Sequence, residues 1–136
     1  MAADDVRFDP VGPVFELVGR TGAGGVAWAW ARRDLDMAAA PAARRELTAL
    51  AAPADGPDRV LVHLGAECFV DLHGLRVLVD VGAQLQVRGG ELVVVGPPRC
   101  LRIMVEVTGL GAGISLVATA APHRLPIPEG HRCPRP

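Results

Sequence analysis

A chain of 136 residues is long enough to bury one hydrophobic core and not comfortably two. Half of the residues are hydrophobic and 21% are charged, the balance of a folded globular protein. The formal net charge of −1 excludes a chain-wide electrostatic attraction to nucleic acid or to an anionic membrane.

Residues 1–12 are polar, carry Pro10 and Gly12, and read as a flexible lead-in. Residues 13–20 (PVFELVGR) alternate as a first strand, and Thr21-Gly22-Ala23-Gly24-Gly25 reads as a hairpin turn into a second strand over 26–32. The two should pair antiparallel, with Trp28 and Trp30 on one face. From Pro41 the period becomes helical through Ala42, Arg45, Leu47 and Leu50 to about Ala52, and Pro53 with Gly56-Pro57 ends it. Residues 59–64 (RVLVHL) form a buried-type strand. Helical spacing returns over 74–88, with Leu75, Leu78, Val79, Gly82 and Leu85 on one stripe and Arg76, Asp80 and Gln84 on another face. Gly89-Gly90 stops that helix, and residues 91–95 (ELVVV) are another buried-type strand.

A third helix over 98–108 turns Leu101, Met104 and Val105 inward and Arg99, Arg102 and Glu106 outward, with Gly109 as its cap. A last short strand covers 114–118, and from Ala120 prolines, arginines and histidines without periodicity read as a flexible tail. The order β-β-α-β-α-β-α-β specifies an α/β domain over 13–119: a mixed sheet of about five strands, parallel where helices connect them and antiparallel at the hairpin. The tail then occupies 120–136.

Cys68, Cys100 and Cys133 are odd in number and form no CxxC pair, so a reducing compartment is the simpler reading. The acidic start MAADDVRFDP lacks an apolar signal core, and the longest uncharged stretch, residues 107–122, is glycine-interrupted and too short to span a bilayer. A cytoplasmic protein with no membrane insertion is expected. Every basic residue is arginine, and lysine, asparagine and tyrosine are absent; with the abundant alanine, glycine and proline this suggests a GC-rich bacterial coding sequence.

His63, Cys68, Asp71 and His73 lie close in sequence, but their spacing matches no established metal site. A Cys68–His73–Asp71 nucleophile has no supporting signature. The run from Thr21 to Gly25 lacks a phosphate-loop pattern. No catalytic residue, metal or cofactor is therefore expected, and the chain does not read as an enzyme.

Three segments together resemble the STAS family. Residues 33–47 (RDLDMAAAPAARREL) resemble its GELDxxTAPxLRxxL stretch, residues 59–78 (RVLVHLGAECFVDLHGLRVL) a strand followed by F-I-D-S-S-G-L and a helix, and residues 88–111 (RGGELVVVGPPRCLRIMVEVTGLG) its RGGxLxLxxPxxxVxxxLxxTGL. Resemblance to the anti-sigma-factor-antagonist members implies a regulatory, partner-switching role in transcription. In those members a serine after the aspartate is phosphorylated by a serine kinase of the histidine-kinase-like ATPase class, which is also the anti-sigma factor. Here Asp71 matches the aspartate, Leu72 takes the phosphorylated position, His73 replaces the second serine, and Gly74-Leu75 match. A leucine has no oxygen to phosphorylate, so binding without a phospho-switch is implied.

Ala39 stands where the family often has Thr or Ser before the first helix, and its missing cap oxygen is expected to leave loop 34–40 looser. Asp71 is expected to cap the helix beginning near His73 and also to touch the partner. Asp36, Asp71, Leu72, His73, Gly74, Arg76, Val77, Asp80 and Val81 are the candidate partner-binding residues, with Val77 and Val81, if partly exposed, forming an apolar patch beside Leu72. Alternatives are a STAS-type accessory subunit of a lipid-transport ATPase and a small-ligand sensor; a homodimer also remains open. Direct contact with nucleic acid is not expected.

Overall fold

Alternating apolar residues and helical stripes resolve, in a computed structural model, into β1 (Phe15–Arg20), β2 (Val26–Ala31), α1 (Ala40–Ala51), β3 (Arg59–His63), α2 (Leu72–Val87), β4 (Glu91–Val95), α3 (Arg99–Thr108), a 3-10 turn (Gly111–Gly113) and β5 (Ile114–Val117). The structure describes residues 12–20, 25–51, 57–65 and 67–118. The expected lead-in over 1–12 (except Gly12), the tail over 120–136, most of the hairpin turn at Thr21–Gly25 and most of the helix stop after Ala51 lie outside these residues.

The five strands form one sheet in the order β1-β2-β3-β4-β5, with β1 antiparallel to β2 and the rest parallel. Each parallel crossover steps to the next strand in the same direction, so the right-handed rule puts all three helices on one face. The main core agrees: Ala29, Val60, Val62, Leu92 and Val94 from the sheet pack with Leu47, Leu75, Leu78, Leu85 and Leu101 from the helices. On the opposite face Trp28, Leu61, Val93 and Val95 form a second cluster. Trp28 and Trp30 do share that face, and the Trp30 ring stacks on His63 with centroids 4.3 Å apart.

The helix ends follow local chemistry. Gly89, with φ 82°, and Gly90 close α2 by donating to the Gln86 and Leu85 carbonyls at 3.0 and 2.8 Å, a Schellman arrangement only a residue tolerant of positive φ completes cheaply. Gly109 caps α3 in the left-handed region and donates to the Val105 carbonyl. The Glu46 carboxylate on α1 accepts from the Val14 and Phe15 N–H groups at 3.0 and 2.8 Å, tying the start of β1 to the helix layer.

One face of α2 differs from its expected stripe. Val77 and Val81 are buried alongside Leu75, Leu78 and Leu85. The reason is that α2 lies between α1 on one side and α3 with the 3-10 turn on the other while resting on β4 and β5. A central helix buries a wider arc than a surface helix.

Candidate protein-docking site

The loops after β2, β3 and β4 leave the carboxyl ends of three parallel strands along one edge of the sheet. Sheets of this class open a ligand crevice at that edge where strand order reverses. Here the order never reverses, so the edge is a rim.

Backbone pairing fixes the rim. Leu35 and Val70 form a parallel bridge, the Leu35 N–H donates to the Phe69 carbonyl at 2.8 Å, and the Asp71 N–H donates to the Leu35 carbonyl at 3.1 Å. The Asp34 carboxylate accepts from the Phe69 N–H at 2.8 Å. Asp71 joins both loops: one carboxylate oxygen caps α2 by accepting from Gly74 N–H, the other accepts from Met37 N–H, both at 3.0 Å. The expected capping role of Asp71 is present, and its helix starts at Leu72. Loop 34–40, expected to be looser behind Ala39, carries a side-chain hydrogen bond of its own. Asp36, three residues earlier, accepts from the Ala39 N–H at 3.0 Å.

The candidate residues separate by this geometry. Leu72 is 42% exposed at the first position of α2, and His73 beside it is exposed with Nδ1 3.7 Å from the Asp71 carboxylate. Arg76 and Asp80 are exposed further along, and Asp80 pairs with Arg44 of α1 at 2.6 Å. Asp36 and Asp71 are half-buried with carboxylates engaged in the loops. Gly74 is buried: a Cβ there would overlap the Leu35 carbonyl oxygen, so this glycine permits close approach and presents no surface. Val77 and Val81 are 1% and 0% exposed, which corrects the expectation that they extend an apolar patch.

The patch beside Leu72 has other members. Met37 is 64% exposed and Phe69 51%, and the hydrogen bonds above hold their backbones beside Asp71. Neither was legible as a site residue, because both lie in irregular loops where periodicity assigns no face. A bulky apolar residue in each of two short, polar-flanked loops was the only signal.

The arrangement offers exposed apolar and charged side chains for contact. His63 stacks on the outer sheet face, so the four neighbouring metal-capable residues do not converge, and no group of three such residues occurs among the described residues. Burial pushes the Cys68 thiol up to about 12, with the Asp34 charge adding to it, so it is no ready nucleophile near neutral pH. Burial also holds His63 below its ordinary value. The hydroxyl groups among the described residues, on Thr48, Thr108 and Ser115, are on α1, the end of α3 and β5, none of them in the loop that carries Leu72.

The family model described as "Mlab, STAS domain" matches residues 31–118. The chain belongs to the STAS domain family. The resemblance seen in three sequence segments is thereby confirmed, as is the α/β architecture expected from it. A protein named TM1081, solved by NMR, shares the fold of this STAS domain with a TM-score of 0.58 at 13% identity, over 79% of this chain and 85% of that one. No curated protein matches the sequence. STAS domains are regulatory or binding modules, generally non-catalytic. No described helix is long and apolar enough to cross a membrane.

Proposed function

We propose that this STAS domain docks a partner protein through the rim formed by Met37, Phe69 and Leu72, with His73 and Arg76 at its border, and that docking is not switched by phosphorylation at position 72. The observation that carries this reading is the exposure of Leu72, at 42%, in the position where antagonist-type relatives carry the phosphorylated serine. A phosphate there would place about two negative charges in the contact surface. Leucine instead keeps the position apolar and neutral. Burying the remaining exposed area of three such side chains is worth about 1 kcal/mol each, or roughly a hundredfold in affinity together. By the resemblance, the partner is an anti-sigma factor of the histidine-kinase-like ATPase class, in a cytoplasmic partner-switching circuit.

A second reading is an accessory subunit of a lipid-transport ATPase. It is favoured by the matched family model carrying the Mlab description and no antagonist one. The two readings share the rim and differ in the ATPase that binds it. The sensor reading gains little from two open depressions of about 440 and 240 Å³ at the amino-terminal strand ends and on the outer sheet face.

Capture of partners from the native cell, followed by titration calorimetry of the isolated pair, tests the proposal. Leu72→Glu is expected to weaken binding at least about thirtyfold, corresponding to about 2 kcal/mol, and ATP should leave the wild-type affinity unchanged. Equal affinity of wild type and Leu72→Glu would remove the rim from the interface.

A further inference from the structure

Two cysteines meet beneath this rim. Cys68 lies in the loop leading to α2, and Cys100 is the second residue of α3. The Cys100 Sγ is 4.0 Å from the carbonyl oxygen of Cys68, across 32 residues of sequence. The Cys68 Sγ points between two other carbonyls, 3.7 Å from that of Arg33 and 3.8 Å from that of Phe69. These contacts are weak ones for a thiol, so rotation of the side chain gives up little. Both cysteines are half-buried and neither is in a disulfide.

We infer that Cys68 and Cys100 form a redox-modification site, closed to an intramolecular disulfide by exchange with a low-molecular-weight disulfide. The Cys100 thiolate attacks one sulfur of the small disulfide, forming a mixed disulfide and expelling one small thiolate, which takes up a proton. Cys68 then gives its proton to solvent and attacks the Cys100 sulfur, expelling the second small thiolate. Two protein thiols are oxidised to one cystine, and one small disulfide is reduced to two thiols. The bond would join the loop bearing Phe69 to α3 and so fix one corner of the rim. That consequence for docking rests on the proposed function; the bridge itself does not.

The order of events follows from the surroundings. Burial and the Asp34 and Asp36 charges push the Cys68 thiol up to about 12, so Cys100 takes the first step and Cys68 resolves. Ring closure therefore runs through a thiolate that is scarce at neutral pH. Its rate should rise about tenfold per pH unit between roughly pH 7 and pH 9.

The test uses the full chain with Cys133→Ser, treated with oxidised glutathione and quenched with acid for intact mass and peptide mapping. The expected product has lost two hydrogens, links the peptides containing Cys68 and Cys100, reverts with dithiothreitol, and closes faster with pH in the stated proportion. Cys100→Ser and Cys68→Ala, each checked for folding by circular dichroism, should both fail to close. A glutathione adduct that persists on Cys100, a product linking two molecules, or no reaction would overturn the inference. Partner binding by the reduced protein is measured in parallel. Loss of closure with intact binding sinks this inference alone, and loss of binding with intact closure sinks only the docking reading.

Discussion

Asp71 serves two neighbours with one carboxylate, capping α2 through Gly74 and holding Met37 of the facing loop. Replacing it with alanine removes both acceptors while leaving the apolar rim residues in place. Asp71→Ala should lose about 1–2 kcal/mol in urea unfolding, with Asp71→Asn recovering only the helix cap, because asparagine has one acceptor oxygen and its NH2 cannot accept from Met37 N–H. An alanine variant as stable as wild type would show that the two bonds are not formed in solution. His63 provides a different reading of environment. Burial against Trp30 keeps its pKa below the ordinary 6.5, so the unfolded chain takes up the proton first as pH falls. Its contribution to stability is full above about pH 6.5 and is lost as pH drops towards the folded-state value. Between about pH 7.5 and pH 5.5 the urea midpoint of wild type should therefore fall more than that of His63→Phe. Parallel slopes for the two proteins would mean that this histidine is as hydrated folded as unfolded.

At the level of elements, α2 was the most legible part of the sequence and its surroundings the least. Its apolar residues, the glycine stop and the Asp71 cap are local signals, readable because helix caps and periodicity act over a few residues. Which additional face it buries depends on α1 and α3, which local spacing cannot reveal, and this is why the patch of Val77 and Val81 was expected only if they were partly exposed. Ala39 shows the same limit: the family position for a cap lacks an oxygen, while Asp36 accepts from the Ala39 N–H one turn earlier. Gly74 was matched as a motif residue, but its role is to let α2 approach the loop at Leu35. Gly74→Ala should destabilise the domain by about 1–3 kcal/mol, since a rigid backbone carbonyl must move, and should loosen the first turn of α2 before the rest. Hydrogen exchange of the Leu72–Arg76 amides in that variant checks this; wild-type protection there would contradict it.

Across the whole molecule, the topology supports the proposed place of docking. Sequential parallel strands send all three helices to one face, leaving the described loops at the carboxyl edge as a rim. The α/β order was readable because each crossover leaves its own period change, and the STAS likeness came from the three motif segments. The exposed trio Met37, Phe69 and Leu72 was readable only at Leu72, since the others meet it through long-range loop pairing. Apolar side chains exposed at one edge, among neighbours whose carboxylates are tied into the loops, suit the proposed docking. The most direct measurement is amide hydrogen exchange of the domain alone and bound to the partner captured from the native cell. The account predicts new protection concentrated in residues 36–39 and 67–76, with β1 and β5 unchanged. Protection confined to β5 and the outer sheet face, with the rim exchanging as in the free domain, would contradict it.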